Sequence, residues 1–90
     1  MPAAYRHAPL PRYPAAARAL GLEGVVVLSV VVRYDGRVDD ARVAVSSGAA
    51  ILDDAALAAV RKWLFAPATR GGHAVESVVE VPVKFALRAP

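Results

Sequence analysis

The sequence predicts an α+β domain in which the chain runs helix, strand, strand, helix, strand. Three stretches carry this. In "ESVVEVPVKFAL", residues 76 to 87, the odd positions (Val79, Val81, Val83, Phe85, Leu87) are apolar while Glu76, Glu80 and Lys84 stand at even ones. That period of two marks a half-buried strand. "VVVLSVVVRYDGRVDDARVAVSS" holds two runs rich in β-branched residues, joined at Asp35-Gly36. Aspartate before glycine between apolar runs is a strong hairpin signal, because both residues can take positive φ. "SSGAAILDDAALAAVRKWLFAP" places Leu52, Ala56, Ala59, Val60 and Trp63 three and four residues apart, one apolar stripe of a helix.

Taken in order, "MPAAYRHAPLPR" holds three prolines and no periodicity. It reads as an extended, mobile tail, with residues 1–10 outside the folded domain and 11–90 within it. In "YPAAARALG", Pro14 suits the first helical position, the alanines and Leu20 favour helix, and Gly21 suits its stop. The first strand then shows Val26, Leu28, Val30 and Val32 on one face. Its other face carries Val25, Val27 and Val31 beside Ser29 and Arg33. A strand apolar on both faces is expected at the centre of a sheet, although so few elements are not expected to cover both sides.

The second strand alternates Val38, Val43 and Val45 with Asp40, Arg42 and Ala44, irregular near Asp39-Asp40, so one face is expected to be wet. In the main helix Asp53 and Asp54 lie at the start and Arg61 and Lys62 at the end, each sign where the helix dipole favours it. Pro67 is expected to end this helix near Phe65. Trp63 is expected to be the main core anchor, with Phe65 and Phe85 beside it. "TRGGH" turns the chain into the last strand, and there Pro82 poses a problem. It sits mid-strand with no N–H to give to a ladder.

Composition narrows the function. Ninety residues, 57% of them apolar, make one folded domain. The absence of cysteine removes disulfides, thiolate nucleophiles and cysteine-ligated zinc without fixing the compartment. Eleven basic and eight acidic residues leave a net charge of +3, scattered without interleaved aromatics, so no nucleic-acid footprint is present. The longest apolar stretch, 25–32, is too short to cross a bilayer, and no leader peptide opens the chain. A soluble unit is expected, one that could be cut from a larger anchored protein.

No enzyme, cofactor or small-molecule substrate is expected. Asp53 and Asp54 diverge by about 100° on a helix and cannot share a proton. His7 and His73 have no partner ligands at metal spacing. Ser46 and Ser47 precede a glycine, where serines serve turns and helix starts. Gly71-Gly72 lacks the lysine and spacing of a phosphate loop. Nothing assembles a nucleophile, base and orienting group.

The punctuation between these elements closely resembles the C-terminal domain of the TonB family. The matching marks are Tyr13-Pro14, Ala17, Glu23-Gly24, the Asp35-Gly36-Arg37-Val38 turn, Ser46-Ser47-Gly48, Leu52-Asp53, Ala56, Trp63, Phe65-Ala66-Pro67, and Phe85 with Leu87. The likeness covers residues 11 to 87. It implies a three-stranded antiparallel sheet in the order second, first, last strand, with both helices on one face. It implies a periplasmic domain of an inner-membrane-anchored energy transducer. A membrane helix and a proline-rich spacer would precede it, with "APLP" as the spacer's last trace. The implied partners are outer-membrane TonB-dependent transporters, gripped at an N-terminal box peptide. An inner-membrane motor of the ExbB/ExbD type would supply force from the proton gradient for siderophore, haem or vitamin uptake.

The resemblance also offers an answer to Pro82. A last strand at the sheet edge could accept the transporter segment as an added strand. Proline is tolerated there if its missing N–H would face outward, and it blunts the edge against other pairing. The implied partner-binding residues are Leu10, Pro11, Arg12, Tyr13 and Pro14, with Val78, Glu80, Pro82, Lys84 and Ala86 along the edge. A second reading keeps the fold but makes it a self-associating module, a homodimer formed through the edge or the apolar odd face of the first strand.

Overall fold

In the computed structural model, which describes residues 5–87, the chain runs β1 (Tyr5–His7), α1 (Ala15–Ala19), β2 (Gly24–Val32), β3 (Val38–Val45), α2 (Ala50–Val60), β4 (Leu64–Phe65), β5 (Ala68–Arg70), β6 (His73–Val75) and β7 (Ser77–Phe85). The three long strands form an antiparallel sheet in the order β3-β2-β7, and the short ones pair as β1-β4 and β5-β6. Apolar residues on both faces of β2 suit it to the centre of the sheet. Val26, Leu28, Val30 and Val32 are buried, together with Ala41 of β3 and Val81, Val83 and Phe85 of β7. Ala17 of α1 and Leu52, Ala56 and Val60 of α2 join the same core, so both helices cover one face of the sheet. On the opposite face Val25 and Val78 are exposed, and Val27 and Val31 are half-buried.

Four local expectations are corrected. The main helix ends at Val60, so Trp63 and Phe65 are not helical. The turn tightens, with the N–H groups of Lys62 and Trp63 reaching the carbonyls of Ala59 and Val60 at 3.1 and 3.0 Å. The Phe65 N–H then donates to the Gly36 carbonyl at 2.8 Å, which commits this backbone to a strand. Arg61 is accordingly the C-cap, and no basic residue stands in the last helical turn. The core roles of Trp63 and Phe65 do not depend on the helix, since both rings are buried.

The turn at Asp35-Gly36 differs as well. Among non-glycine residues described, none has positive φ, so Asp35 does not, while Gly36 stands at +88°. The Gly36 N–H donates to Arg33 at 2.9 Å and the Arg33 N–H to Arg37 at 2.8 Å, a three-residue loop closed by a glycine bulge. Asp35 instead accepts the Arg37 N–H at 3.0 Å. Gly36 is required twice, because a Cβ there would also lie 2.2 Å from the Phe65 carbonyl oxygen.

Residues 5–10 are not a loose tail. β1 pairs antiparallel with β4, and the Tyr5 ring meets Trp63 and Phe65 edge-on at 5.2 and 5.4 Å. The Trp63 indole N–H donates to the Pro9 carbonyl at 2.8 Å. The remainder of the expected tail, 1–4, and the domain end, 88–90, lie outside the described residues. Finally, "TRGGH" is a small hairpin rather than a plain turn, with Gly71 and Gly72 at φ 58° and 82° between β5 and β6.

Candidate functional site: a free sheet edge and the segment beside it

β7 pairs with β2 through nine consecutive residue pairs, from Gly24–Phe85 to Val32–Ser77, without a register shift. Both shifts in the sheet fall in β3, where Asp39 and Ala44 are extra residues opposite an unbroken β2. This fixes which way each backbone group points. The Arg33 N–H donates to Arg37, so the polar backbone of Arg33 faces the β3 side. In an extended strand, successive residues turn their N–H and C=O to opposite edges. Val27, Ser29 and Val31 therefore face β3, while Val26, Leu28 and Val30 face β7.

The partners of Val26, Leu28 and Val30 are Val83, Val81 and Val79, and these turn inward to the ladder. Pro82 lies opposite Val27 and its backbone faces away from β2, so no ladder bond is lost to the proline. Val78, Glu80 and Lys84 share that outward direction. Their backbone groups line the outer edge of β7, and no other strand among the described residues pairs there. Their side chains, with that of Pro82, are exposed. Ala86 is exposed too but lies one residue past the strand.

The segment 10–14 divides. Tyr13 joins the β7 side: its ring meets Phe85 edge-on at 5.4 Å and its hydroxyl donates to the Leu22 carbonyl. The Arg18 guanidinium lies 5.2 Å from the centre of the same ring. Burial, then Glu23, raises the phenol above its ordinary pKa against the opposing charge of Arg18, so Tyr13 is a neutral donor. Pro14 is the N-cap of α1, in extended backbone. Leu10, Pro11 and Arg12 point elsewhere, lining a groove against α2.

Two contributors were not singled out from sequence for a role. Glu23 accepts the Leu87 N–H at 2.8 Å and so holds the chain just beyond β7. Arg18 flanks Tyr13. Glu23 was marked only as part of the Glu23-Gly24 resemblance and Arg18 not at all, because each acts on a residue brought near only by the fold.

Asp53, read from sequence as a helix-dipole residue, is buried in a knot between β3 and α2. Its carboxylate accepts from the Ser46 hydroxyl, from the Ser47 N–H at 3.0 Å and from the Ser47 hydroxyl at 2.7 Å. Gly48 and Ala49 donate their N–H groups back to the Ser46 and Ser47 hydroxyls at 3.0 and 3.1 Å. Burial raises the Asp53 pKa, but the bonds from Ser46 and Ser47 outweigh it and hold the group below its ordinary value. A depressed folded pKa gives stability that is fully present above the unfolded value and is lost as pH falls through the folded one. Thermal melts from neutral pH into strong acid should therefore fall less steeply for Asp53→Asn than for the parent, from a lower neutral starting point. Equal slopes would show that the knot does not depend on the charge.

Architecture and edge together define a small α+β domain whose last strand has an outer edge that no other strand among the described residues pairs. The chain matches the family described as Gram-negative bacterial TonB protein C-terminal over residues 9–87, and it belongs to that family. It is 46% identical over 85 residues to Protein tonB2 of Pseudomonas aeruginosa, covering 94% of this chain and 32% of that protein. It is 35% identical over 77 residues to Protein TonB of Vibrio cholerae, covering 86% of this chain and 32% of the relative. The chain thus spans about a third of the length of these relatives.

The solution NMR structure of the Pseudomonas aeruginosa TonB CTD superposes with a TM-score of 0.79 at 30% identity, covering 98% of this chain and 89% of that one. The Helicobacter pylori TonB-CTD solution structure gives 0.69 at 29% identity, covering 89% and 84%. Family membership makes the domain a non-enzymatic one. No helix among the described residues is long and apolar enough to cross a membrane.

Proposed function

We propose that this domain works in the periplasm, gripping the N-terminal segment of an outer-membrane transporter as an added strand along β7. Force from an inner-membrane motor of the ExbB/ExbD type would then pass through it to drive nutrient uptake. The observation that carries this reading is the unbroken outer edge of β7. The sheet has a second edge at β3, but the bulges at Asp39 and Ala44 interrupt its ladder there, and Asp39, Asp40 and Arg42 charge it. Bulges and charges are the usual protection against strand addition. β7 carries Glu80 and Lys84 but has no bulge, no element among the described residues covers it, and it spends a single donor, at Pro82.

Backbone pairing alone gives weak binding. About four hydrogen bonds at ~1 kcal/mol net each amount to ~4 kcal/mol, a millimolar complex before ordering costs. Side chains beside the edge must add to it, and Tyr13, seated on Phe85 at the end of β7, is the nearest of the expected set. Titration of the domain with transporter N-terminal peptides tests the proposal. Tyr13→Ala is expected to weaken peptide binding more than it lowers the melting temperature. Unchanged peptide affinity in that variant would remove Tyr13 from the site.

A further inference from the structure

On the helix side of the domain, Pro9, Leu10, Pro11 and Arg12 form one wall of a groove whose floor and far side are Ala55, Ala58, Ala59 and Lys62, with a volume of about 410 Å³. The wall is fixed in place. The Trp63 indole holds the Pro9 carbonyl at 2.8 Å and β1 is paired with β4 just before it. The groove therefore stands open without a partner, and filling it requires little ordering of the protein.

Its chemistry is uneven. Prolines at 9 and 11 have no N–H, and the Pro9 carbonyl is already taken, so the wall offers little backbone hydrogen bonding. Alanines leave room for larger aliphatic side chains from outside, and Leu10, 86% exposed, adds apolar surface. Arg12 and Lys62 supply two positive charges. No acid lines the groove, and neither cation is in an ion pair among the described residues.

We propose that this groove is a second docking site for the same partner chain that adds to β7. It would receive an extended segment in which aliphatic residues alternate with carboxylates. Charge complementarity selects the acidic character, and the alanine floor selects the aliphatic one. The route is short: Tyr13 touches the end of β7, and Arg12 and Leu10 precede it directly. The inference rests on the strand-addition reading and extends it, by naming α2 and Lys62 as part of the interface and an acidic, aliphatic sequence as what they read. The edge then supplies sequence-tolerant backbone pairing, and the groove supplies selectivity among partner chains.

Three peptides separate the possibilities: a transporter N-terminal segment alone, the same segment joined by a Gly-Ser linker to Leu-Glu-Leu-Glu, and the same extension with lysine for glutamate. Versions extended at either end are used. The parent domain is expected to bind the glutamate peptide about tenfold or more tighter than the bare segment, since linkage makes the second contact intramolecular. Arg12→Glu with Lys62→Glu should abolish that gain and prefer the lysine peptide, while Lys62→Glu alone, on the α2 side of the groove, should reduce the gain and leave the bare segment's affinity unchanged. Both positions are exposed, and circular dichroism checks the fold of the variant. Equal binding of bare and extended peptides by the parent overturns the groove inference while the edge reading stands. Failure of all three overturns the edge reading and this inference together. A concentration-dependent dimer of the parent, lost in the double variant, would make a second copy the occupant and overturn it as well.

Discussion

Trp63→Ala is expected to lower the unfolding free energy by about 3–5 kcal/mol, a large share of what a domain of this size has. The ring is 6% exposed and does two jobs. It fills the core end where α2 gives way to β4, and it ties down the incoming chain. Its N–H holds Pro9, and its ring packs in a T-shaped pair with Tyr5. Removal therefore leaves a cavity and an unpaired carbonyl, and it releases β1 from β4. Denaturant unfolding gives the first quantity. Amide hydrogen exchange gives the second, with protection lost at the β1 amides paired to β4. Trp63→Phe separates the two, since it keeps most of the apolar surface and gives up the donor, at about 1 kcal/mol. Near-parental stability of the alanine variant would place the indole outside the core.

The double role of Trp63 shows what could be read from the chain and what could not. The buried face of β7 was legible because a strand buried on one side must alternate, and Val79 to Phe85 do so without a break, while β2, apolar on both faces, was legible as the central strand. The outward direction of Pro82 was legible for a similar reason: a missing N–H has few permitted places in a sheet. The end of α2 was not. Trp63 sits three residues after Val60, and the tightened turn keeps its ring on the side a helix would have used, so spacing cannot separate the two. The docking of residues 5–10 was hidden because its partners lie more than fifty positions away. The Trp63–Pro9 bond spans 54 residues, and no local pattern reports it.

The candidate site divides along the same line. The edge residues Val78, Glu80, Pro82 and Lys84 follow from strand parity, a local property. Leu10 to Tyr13 come from resemblance, which marks a segment without its orientation. Only the packing shows that Tyr13 adjoins Phe85 while Leu10 and Arg12 face α2. Lys62 was read only as a helix-end charge beside Arg61, since a lysine after a helix is ordinary surface until a second cation is brought across a groove from it.

The parity of β7 makes two neighbouring substitutions behave oppositely. Val83 pairs with Val26 and its N–H faces β2, and its side chain is buried. Val83→Pro therefore removes a ladder bond and a core side chain inside a nine-residue pairing, at about 3 kcal/mol or more. The expected result is a domain unfolded or nearly so at room temperature. Lys84 pairs with Val25, its N–H faces the free edge, and its side chain is exposed. Lys84→Pro takes nothing from the ladder, and Pro82 shows that this strand already accepts a proline in the same orientation. This variant should melt within a few degrees of the parent. What it loses is an outward donor, replaced by a ring directed at any chain approaching the edge. With Pro82 two residues earlier, that leaves no backbone donor on the outer edge between Glu80 and the strand end. Strand addition should be abolished or weakened by about tenfold or more, one lost hydrogen bond together with the steric block. Thermal melting and peptide titration on both variants decide the matter. A folded Val83→Pro domain would show that the outward and inward residues have been exchanged. A stable Lys84→Pro domain that binds transporter peptide like the parent would exclude this edge as the place where the partner strand is added.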